Sequence, residues 1–370
     1  MWSTVGLRCW LVAATSLPGP RPSGRPTIRD VAELAGVHPS TVSRVLSGDD
    51  RRAVAETRER IFEAAKQLGW RPNSVARSLS LGRAYALGML IPTFANPAYA
   101  SMIAGAQRAA EDSGNVLLVT DTSDNEARMK VQIERLADRA DGFVVASAAL
   151  NSPTVALLQE RGLPFVLLNR RSAGEHVSVV GDDEAGVHMS LEYLSLLGHR
   201  RIAYLAGPRG VDTVERRVGA FRDFVRSQGL PMPKDWVYRG SLAPDRLLAG
   251  LTRIMSAPAD ERPTAVVAVN LLTASQVLSG LRGLGIGVPE DVSVVGFDDW
   301  PLAEHLWRPL TTVRMPTEAM GEQAVRELLT VLEGQSSPRE TRVEVPPELI
   351  IRESTAIPPV PALRSARRPR

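Results

Sequence analysis

A chain of 370 residues is long enough for two or three domains. Its 44% hydrophobic and 23% charged content is that of an ordinary globular protein, and with 5% aromatics its cores must be mostly aliphatic. The net charge of +3 is unevenly spread: residues 1–83 hold 13 Lys and Arg against 7 Asp and Glu, a local +6, leaving −3 for the rest. A basic head on a slightly acidic body points to nucleic acid and argues against a surface that is sticky throughout. The single cysteine, Cys9, excludes an intrachain disulfide framework and fits a reducing cytoplasm. No run approaches the ~18 apolar residues of a membrane span.

Residues 1–26 stand outside the pattern that follows. Met1–Leu17 is mildly apolar and Pro18–Pro26 is rich in Pro, Gly and Arg, which reads as a disordered extension in which Arg21 and Arg25 could touch phosphates. A signal peptide is the other reading, but its apolar core, Cys9–Ala14, is short. From Thr27 the apolar residues Ile28, Val31, Ala32 and Ala35 recur at helical spacing. Gly36-Val37-His38 then breaks the helix, with Gly36 where a tight turn wants a residue tolerant of positive φ. A second short helix, Pro39 to Leu46, turns Val42, Val45 and Leu46 inward and leaves Ser40, Thr41, Ser43 and Arg44 outside. A third, about Glu56 to Leu68, puts Ile61, Phe62, Ala65 and Leu68 on one stripe, and starts at Val54 where a Ser or Asp cap is common. Two helices joined by a short glycine turn are a helix-turn-helix, whose second helix enters the major groove. The same outline also fits small trihelical units that bind no DNA.

Val42-Ser43-Arg44, followed by Arg71-Pro72-Asn73-x-x-Ala76-x-x-Leu79, narrows the reading, because it resembles the headpiece and hinge of the LacI/GalR family of bacterial transcription regulators. The resemblance implies a headpiece over 27–71 and a hinge helix and linker over 72–84. Paired hinge helices would lie in the minor groove, with Leu79 wedging a base step open and the small Ala76 allowing close approach. DNA contacts would then fall on Thr27, Pro39, Ser40, Thr41, Ser43, Arg44, Arg58, Asn73, Ala76 and Leu79. Arg to guanine is the commonest specific contact; Ser43 suits a phosphate, and Arg58 a phosphate or a packing role. His38 replaces the usual Ser cap and Pro39-Ser40 a bulkier reading pair, so an operator sequence does not transfer.

From Tyr85 the pattern changes to short apolar strands (Ala86–Ile91, Val116–Thr120, Phe143–Ala146, Phe165–Leu168) between helices at about Pro97–Ser113, Asn125–Arg139 and Pro153–Arg161. The alternation restarts after Asp182, with strands Ile202–Ala206, Ala265–Val269 and Val292–Gly296 between helices at about Glu184–Leu197, Thr213–Gln228, Asp245–Met255 and Leu271–Gly283. Strands buried on both faces belong to parallel sheets, so two α/β lobes are expected. Leu90-Ile91-Pro92, Leu197-Gly198-His199-Arg200-Arg201-Ile202, Ala206-Gly207-Pro208, Val288-Pro289-Glu290-Asp291-Val292 through Gly296-Phe297-Asp298-Asp299 and Pro309-Leu310-Thr311-Thr312-Val313 are similar to the effector domain of the same family. That domain shares its fold with periplasmic sugar-binding proteins. The resemblance, about 27–355 with the headpiece, implies an effector-binding and dimerisation domain over 85–357. Its N-lobe would be 85–181 plus 313–335 and its C-lobe 182–312 plus 336–357, with the chain crossing near Asp182, Val313 and Gln335. Residues 358–370, rich in Pro and Arg, read as a disordered tail.

Ligands of open α/β sheets sit beyond the carboxyl ends of the strands. That directs attention to Phe94, Asn96, Ser147, Asn169, Asp183, Asn270 and Asp298. Family positions that hydrogen-bond effectors map onto Arg217 (followed by Val218-Gly219-Ala220-Phe221), Asn270 and Asp298. The effector set is thus Phe94, Asn96, Asp183, Arg217, Asn270 and Asp298. A carboxylate accepting from hydroxyls, a guanidinium donating and an amide doing both suit a sugar or related polyhydroxylated metabolite. The alternative is that Arg217 and Asp298 are a structural pair across the cleft, and Asn270 only a cap for the helix after it. Leu271 stands where the family mostly has Asp, Leu242 where it often has a stacking aromatic, and an acid some members carry near Leu150 is absent.

Five scattered histidines (His38, His176, His188, His199, His305) form no metal spacing, and His199 and His305 read as structural. Gly283-Leu284-Gly285-Ile286-Gly287 follows a helix rather than opening one, so no dinucleotide cofactor is implied. Catalytic residues, metal and cofactor are all expected to be none. The resemblance implies a cytoplasmic, nucleoid-associated homodimeric regulator, expected to be a repressor, acting on a near-palindromic operator. The alternative is a periplasmic-type solute-binding protein, which explains 84–357 but not 27–79.

Overall fold

The computed structural model describes residues 26–46, 54–70 and 83–359. It divides after Gly82 into two units, Met1–Gly82 and Arg83–Arg370. The expected hinge with Asn73, Ala76 and Leu79, nearly all of the N-terminal extension and most of the C-terminal tail lie outside the described residues.

In the first unit, α1 (Ile28–Ala35) starts at a capping box: Thr27 N donates to Asp30 Oδ2 at 2.7 Å and Asp30 N to Thr27 Oγ1 at 3.4 Å. It stops at Gly36, whose φ of 66° closes the chain back onto the Ala32 and Glu33 carbonyls. α2 (Pro39–Leu46) begins with His38 standing in for the expected serine, since Ser40 N donates to its Nδ1 at 3.3 Å. α3 (Ala55–Gln67) starts at Val54 with no side-chain cap. Val31, Ala32, Ala35, Val42, Val45, Ile61, Ala64 and Ala65 form the small core, with Leu46 and Leu68 packed on it. Phe62 is not part of that core: it is 52% exposed and Ala64 takes its place. The spacing 61, 64, 65, 68 follows one helical face, and position 62 is turned about 100° from it.

In the second unit two six-stranded sheets form two lobes. The N-lobe sheet has the order β11-β5-β4-β3-β1-β2, from β1 (Ala86–Ile91), β2 (Val116–Asp121), β3 (Gly142–Val145), β4 (Phe165–Leu168), β5 (Ser178–Val180) and β11 (Glu340–Arg342), all parallel. Its helices are α4 (Pro97–Asp112), α5 (Glu126–Leu136) and α6 (Pro153–Glu160), each capped by the residue before it: Asn96, Asn125 and Ser152. The C-lobe sheet runs β12-β10-β9-β8-β6-β7, from β6 (Ile202–Leu205), β7 (Val237–Tyr238), β8 (Ala265–Ala268), β9 (Ser293–Phe297), β10 (Thr311–Arg314) and β12 (Glu348–Ile350). It is parallel except for β12, which runs antiparallel to β10 on the edge. Its helices are α7 (Asp183–Leu196), α8 (Asp212–Ser227), α9 (Pro244–Met255) and α10 (Leu271–Gly283).

The later crossings differ from expectation. β10 stays in the C-lobe sheet through Arg314, so the second crossing falls at Met315-Pro316, just past Val313. The third is not near Gln335. After α11 (Thr317–Leu332) the chain adds β11 beside β5, and Val343 N still donates to Val180 O, so residues 336–343 belong to the N-lobe. The open edge of β5 offers unpaired backbone groups, and β11 satisfies them before the chain leaves. α11 docks on α4 through two glycines: a Cβ on Gly105 would lie 1.9 Å from Glu318 O, and one on Gly321 would lie 1.9 Å from Met102 O.

His199 is a structural residue. Buried among the starts of three C-lobe strands, its Nδ1 meets Thr264 Oγ1 at 2.9 Å, and its Nε2 meets Ser293 Oγ at 3.0 Å and the Ala356 carbonyl at 2.9 Å. Burial pushes its pKa down, partly countered by that carbonyl.

Candidate functional site

Two surfaces bear on function, one in each unit. On α2, Ser40, Ser43 and Arg44 are exposed and Thr41 is half-buried beside them, so the outward residues lie on one helical face. Arg44 Nε donates to Ser40 O at 3.2 Å, and Ser40 Oγ is 2.8 Å from His38 Nδ1. Pro39 is half-buried at the first turn. Thr27 is exposed, with its hydroxyl engaged in the cap of α1, and Arg58 is half-buried in α3.

In the second unit, the carboxyl ends of the C-lobe strands gather a buried ionic group around Arg217. α8 places Arg217 so that its Nε donates to Asp183 Oδ1 at 2.5 Å and its Nη1 to the Val269 carbonyl at 2.6 Å. Its Nη2 lies 3.8 Å from Asp298 Oδ1, and its guanidinium stacks 4.4 Å over the Phe297 ring. Asp183 opens α7, where the helix N-terminus favours a carboxylate, and it also pairs with Arg216. Asp298 follows β9 in the left-handed region, φ 65°, which an Asp tolerates better than a branched residue.

These burials shift the titrations. Burial pushes the Asp298 carboxyl up to about 6, against the pull of Arg217, with Asp183 adding to the rise. Burial alone would lower Arg217, but Asp183 and Asp298 hold it above its ordinary value. The pair therefore behaves as a charged donor beside a carboxylate that ionises near neutrality.

Of the six expected effector residues, the structure brings Asp183, Arg217 and Asp298 together. Asn270 is next to the Val269 carbonyl that Arg217 binds, and its Oδ1 accepts from Thr273 N at 2.8 Å, so it caps α10. Asn96 likewise caps α4, accepting from Ala98 N at 3.1 Å. Phe94 is 61% exposed at the end of β1. Among the described residues, no hydrogen bond ties Phe94 or Asn96 to the Arg217 group. Ser147 is buried with its Oγ 3.1 Å from Met129 Sδ, and Asn169 adopts φ 65°.

Several participants were not picked out from the sequence. Arg170 is buried after β4 and donates through Nη1 to Asp124 Oδ1 at 2.5 Å. Tyr99 is buried beside it, and its hydroxyl is raised by burial while Arg170 pulls the other way. Arg171, from the N-lobe, reaches Asp212 at the start of α8: its backbone N donates to Oδ2 at 3.2 Å and its Nε to Oδ1 at 3.0 Å. Arg216 Nε donates to Asp212 Oδ2 at 2.9 Å, and its Nη2 to Asn169 O at 3.0 Å. Leu150 N donates to Gly210 O at 3.0 Å. The lobes are thus joined by a set of polar contacts beside the Arg217 group. The available signal was two arginines directly after the β4 strand, and a second arginine beside Arg217.

Comparison with known proteins decides the family. Residues 27–73 match the model of bacterial regulatory proteins of the lacI family, and residues 191–355 match a periplasmic binding protein-like domain. The HTH-type transcriptional repressor PurR of Vibrio cholerae serotype O1 (strain M66-2) is 32% identical over 332 residues, 89% of this chain and 97% of that protein. The chain belongs to the LacI family. As a member of the LacI family it is a DNA-binding transcriptional regulator, which sets aside the solute-binding alternative. Among solved structures, a lac repressor dimer bound to operator and the anti-inducer ONPF is 25% identical with a TM-score of 0.78, covering 90% of this chain and all of that one. A complex of the transcriptional regulator CelR with cellobiose is 30% identical with a TM-score of 0.66, covering 89% and 100%. The family consists of DNA-binding regulators, not enzymes. Among the described residues, no group of three or more His, Cys, Asp or Glu could hold a metal, and no helix is long and apolar enough to cross a membrane.

Proposed function

We propose that the protein is a cytoplasmic, nucleoid-associated repressor that binds a near-palindromic operator as a homodimer. A sugar or related polyhydroxylated metabolite, bound between the lobes, controls it. The observation that carries this reading is the buried Asp183–Arg217–Asp298 group at the carboxyl ends of the C-lobe strands, in a chain whose first unit is a helix-turn-helix. Asp298 accepts from ligand hydroxyls as a carboxylate, Arg217 holds it, and Asp183 fixes Arg217. Ser40, Thr41 and Arg44 read base edges, Ser43, Thr27 and Arg58 serve the backbone, and Pro39 shapes the start of the reading helix.

In the same reading, Asn73, Ala76 and Leu79 add to the DNA contacts. Phe94, Asn96 and Asn270 border the ligand. The ligand acts only through a difference in affinity between two lobe arrangements. The CelR–cellobiose complex supports a sugar-like effector by kinship. The test is Arg217→Ala, measured by fluorescence anisotropy on operator DNA with and without a ligand found by thermal-shift screening. DNA binding should persist and ligand response should vanish. A surviving ligand response would overturn the pocket assignment.

A further inference from the structure

The Arg217 group leaves a neighbouring set of donors unexplained. Arg239 follows β7 at the carboxyl end of the C-lobe sheet, the same end that carries Asn270 and Asp298. The register pairs Tyr238 with Leu205, which places Arg239 level with the end of β6. Its side chain is only 8% exposed. Nη2 donates to Glu215 Oε1 at 2.5 Å, while Nε and Nη1 are buried with no hydrogen-bond partner. The hydroxyl of Tyr204, from β6, is buried and unpartnered in the same way. Tyr204 lies within electrostatic reach of Arg217, Asp183, Asp298 and Arg239.

Buried polar groups are normally satisfied, and a buried charge is normally paired on more than one side. A guanidinium carries five N–H donors. Glu215, its ion-pair partner, also accepts from Gly210 N and feels Arg209 as well as Arg239. Glu215 is about one-third exposed, so water screens it more than it screens Arg239.

We infer that the effector carries an anionic group, a carboxylate or a phosphate, seated on Arg239 Nε and Nη1 beside the Tyr204 hydroxyl, while its hydroxyls meet Asp298 and Arg217. This rests on the cleft reading above and narrows it to acidic sugars and sugar phosphates. Arg239 and Tyr204 set which ligands enter; Asp298 and Arg217 hold whatever does.

The experiment is thermal unfolding of the full chain at constant ionic strength with gluconate, glucuronate, glucose 6-phosphate, inorganic phosphate or neutral glucose. Wild type, Arg239→Gln, Arg239→Met and Arg217→Ala are compared. At least one of the acids should raise the wild-type Tm by several degrees while glucose does not. Gluconate or glucuronate alone would mark a carboxylate; glucose 6-phosphate or inorganic phosphate alone, a phosphate. That shift should disappear in Arg239→Gln, with at least a tenfold loss of apparent affinity. Arg239→Met, which gives up the Glu215 hydrogen bond as well as the two unsatisfied donors, should lose the shift too. The inference is overturned if glucose stabilises as much as the acids, if no acid stabilises, or if the acid's shift survives in Arg239→Gln or Arg239→Met. A shift kept in Arg239→Gln but lost in Arg217→Ala would leave the cleft reading standing. A shift kept in both variants would remove the cleft reading as well.

Discussion

Asp212 is the carboxylate through which the two lobes are joined, and replacing it tests that joint. It is 3% exposed at the N-terminus of α8 and accepts three bonds: Arg171 N at 3.2 Å, Arg171 Nε at 3.0 Å and Arg216 Nε at 2.9 Å. Two of the three come from the opposite lobe. Hydrogen bonds to charged groups contribute about 1.5–3 kcal/mol each, and stripping one partner from a fully buried pair costs about 3–5 kcal/mol. Asp212→Ala should fall below those sums. Arg171 is 37% exposed and keeps Glu340 at 2.9 Å, and Arg216 keeps Asp183. A loss of about 2 kcal/mol is expected. It should appear in urea unfolding, together with faster hydrogen exchange at the Leu150 amide, whose acceptor is Gly210 O across the lobes. Small-angle scattering should show a larger radius of gyration. If stability changes by less than about 0.5 kcal/mol, within the range of ordinary surface substitutions, and Leu150 exchange is unchanged, Asp212 does not join the lobes.

Two further predictions concern what holds the lobes themselves. Gly105→Val forces a side chain into the Glu318 carbonyl across the α4–α11 contact, and backbone cannot rotate away as a side chain does. A loss of about 3 kcal/mol or more in urea unfolding is expected, and a near-neutral result would mean the helices sit farther apart than described. His199 is held neutral by burial, so its folded pKa lies below the unfolded value of about 6.5. Its contribution is complete above that value and is lost as pH falls through the lowered folded value. Asp298, raised to about 6, works oppositely, contributing fully below its unfolded value and losing that contribution as pH rises through 6. Urea midpoints should therefore fall more steeply below pH 6.5 in wild type than in His199→Gln, with Asp298 common to both; parallel curves would remove His199 as the cause.

How far the sequence carries depends on whether a feature is local. Ala86–Ile91, Phe165–Leu168, Pro39–Leu46 and Leu271–Gly283 were legible to the residue, because their periodicity, caps and flanking breakers lie within the segment itself. β5, β11 and β12 were not, being three residues each and depending on a neighbour's open edge. The third crossing was misplaced for that reason. In the cleft, Arg217 and Asp298 stood out through their neighbours in sequence. Arg170, Asp212 and Arg239 act through partners 24 to 46 residues away, and no local pattern marks such pairs. Asn96 and Asn270 were noticed as ligand contacts, yet each spends its side-chain oxygen on a helix cap, the alternative that a strand-end Asn always carries.

Sequence enrichment from a random duplex pool by the full chain, repeated with Arg44→Ala, tests whether α2 reads a symmetric DNA sequence. Wild type should enrich a near-palindromic site, with preference relaxed at one base pair per half-site in Arg44→Ala at a cost of about 1–3 kcal/mol. Enrichment of no sequence, or an identical site from both proteins, would contradict it.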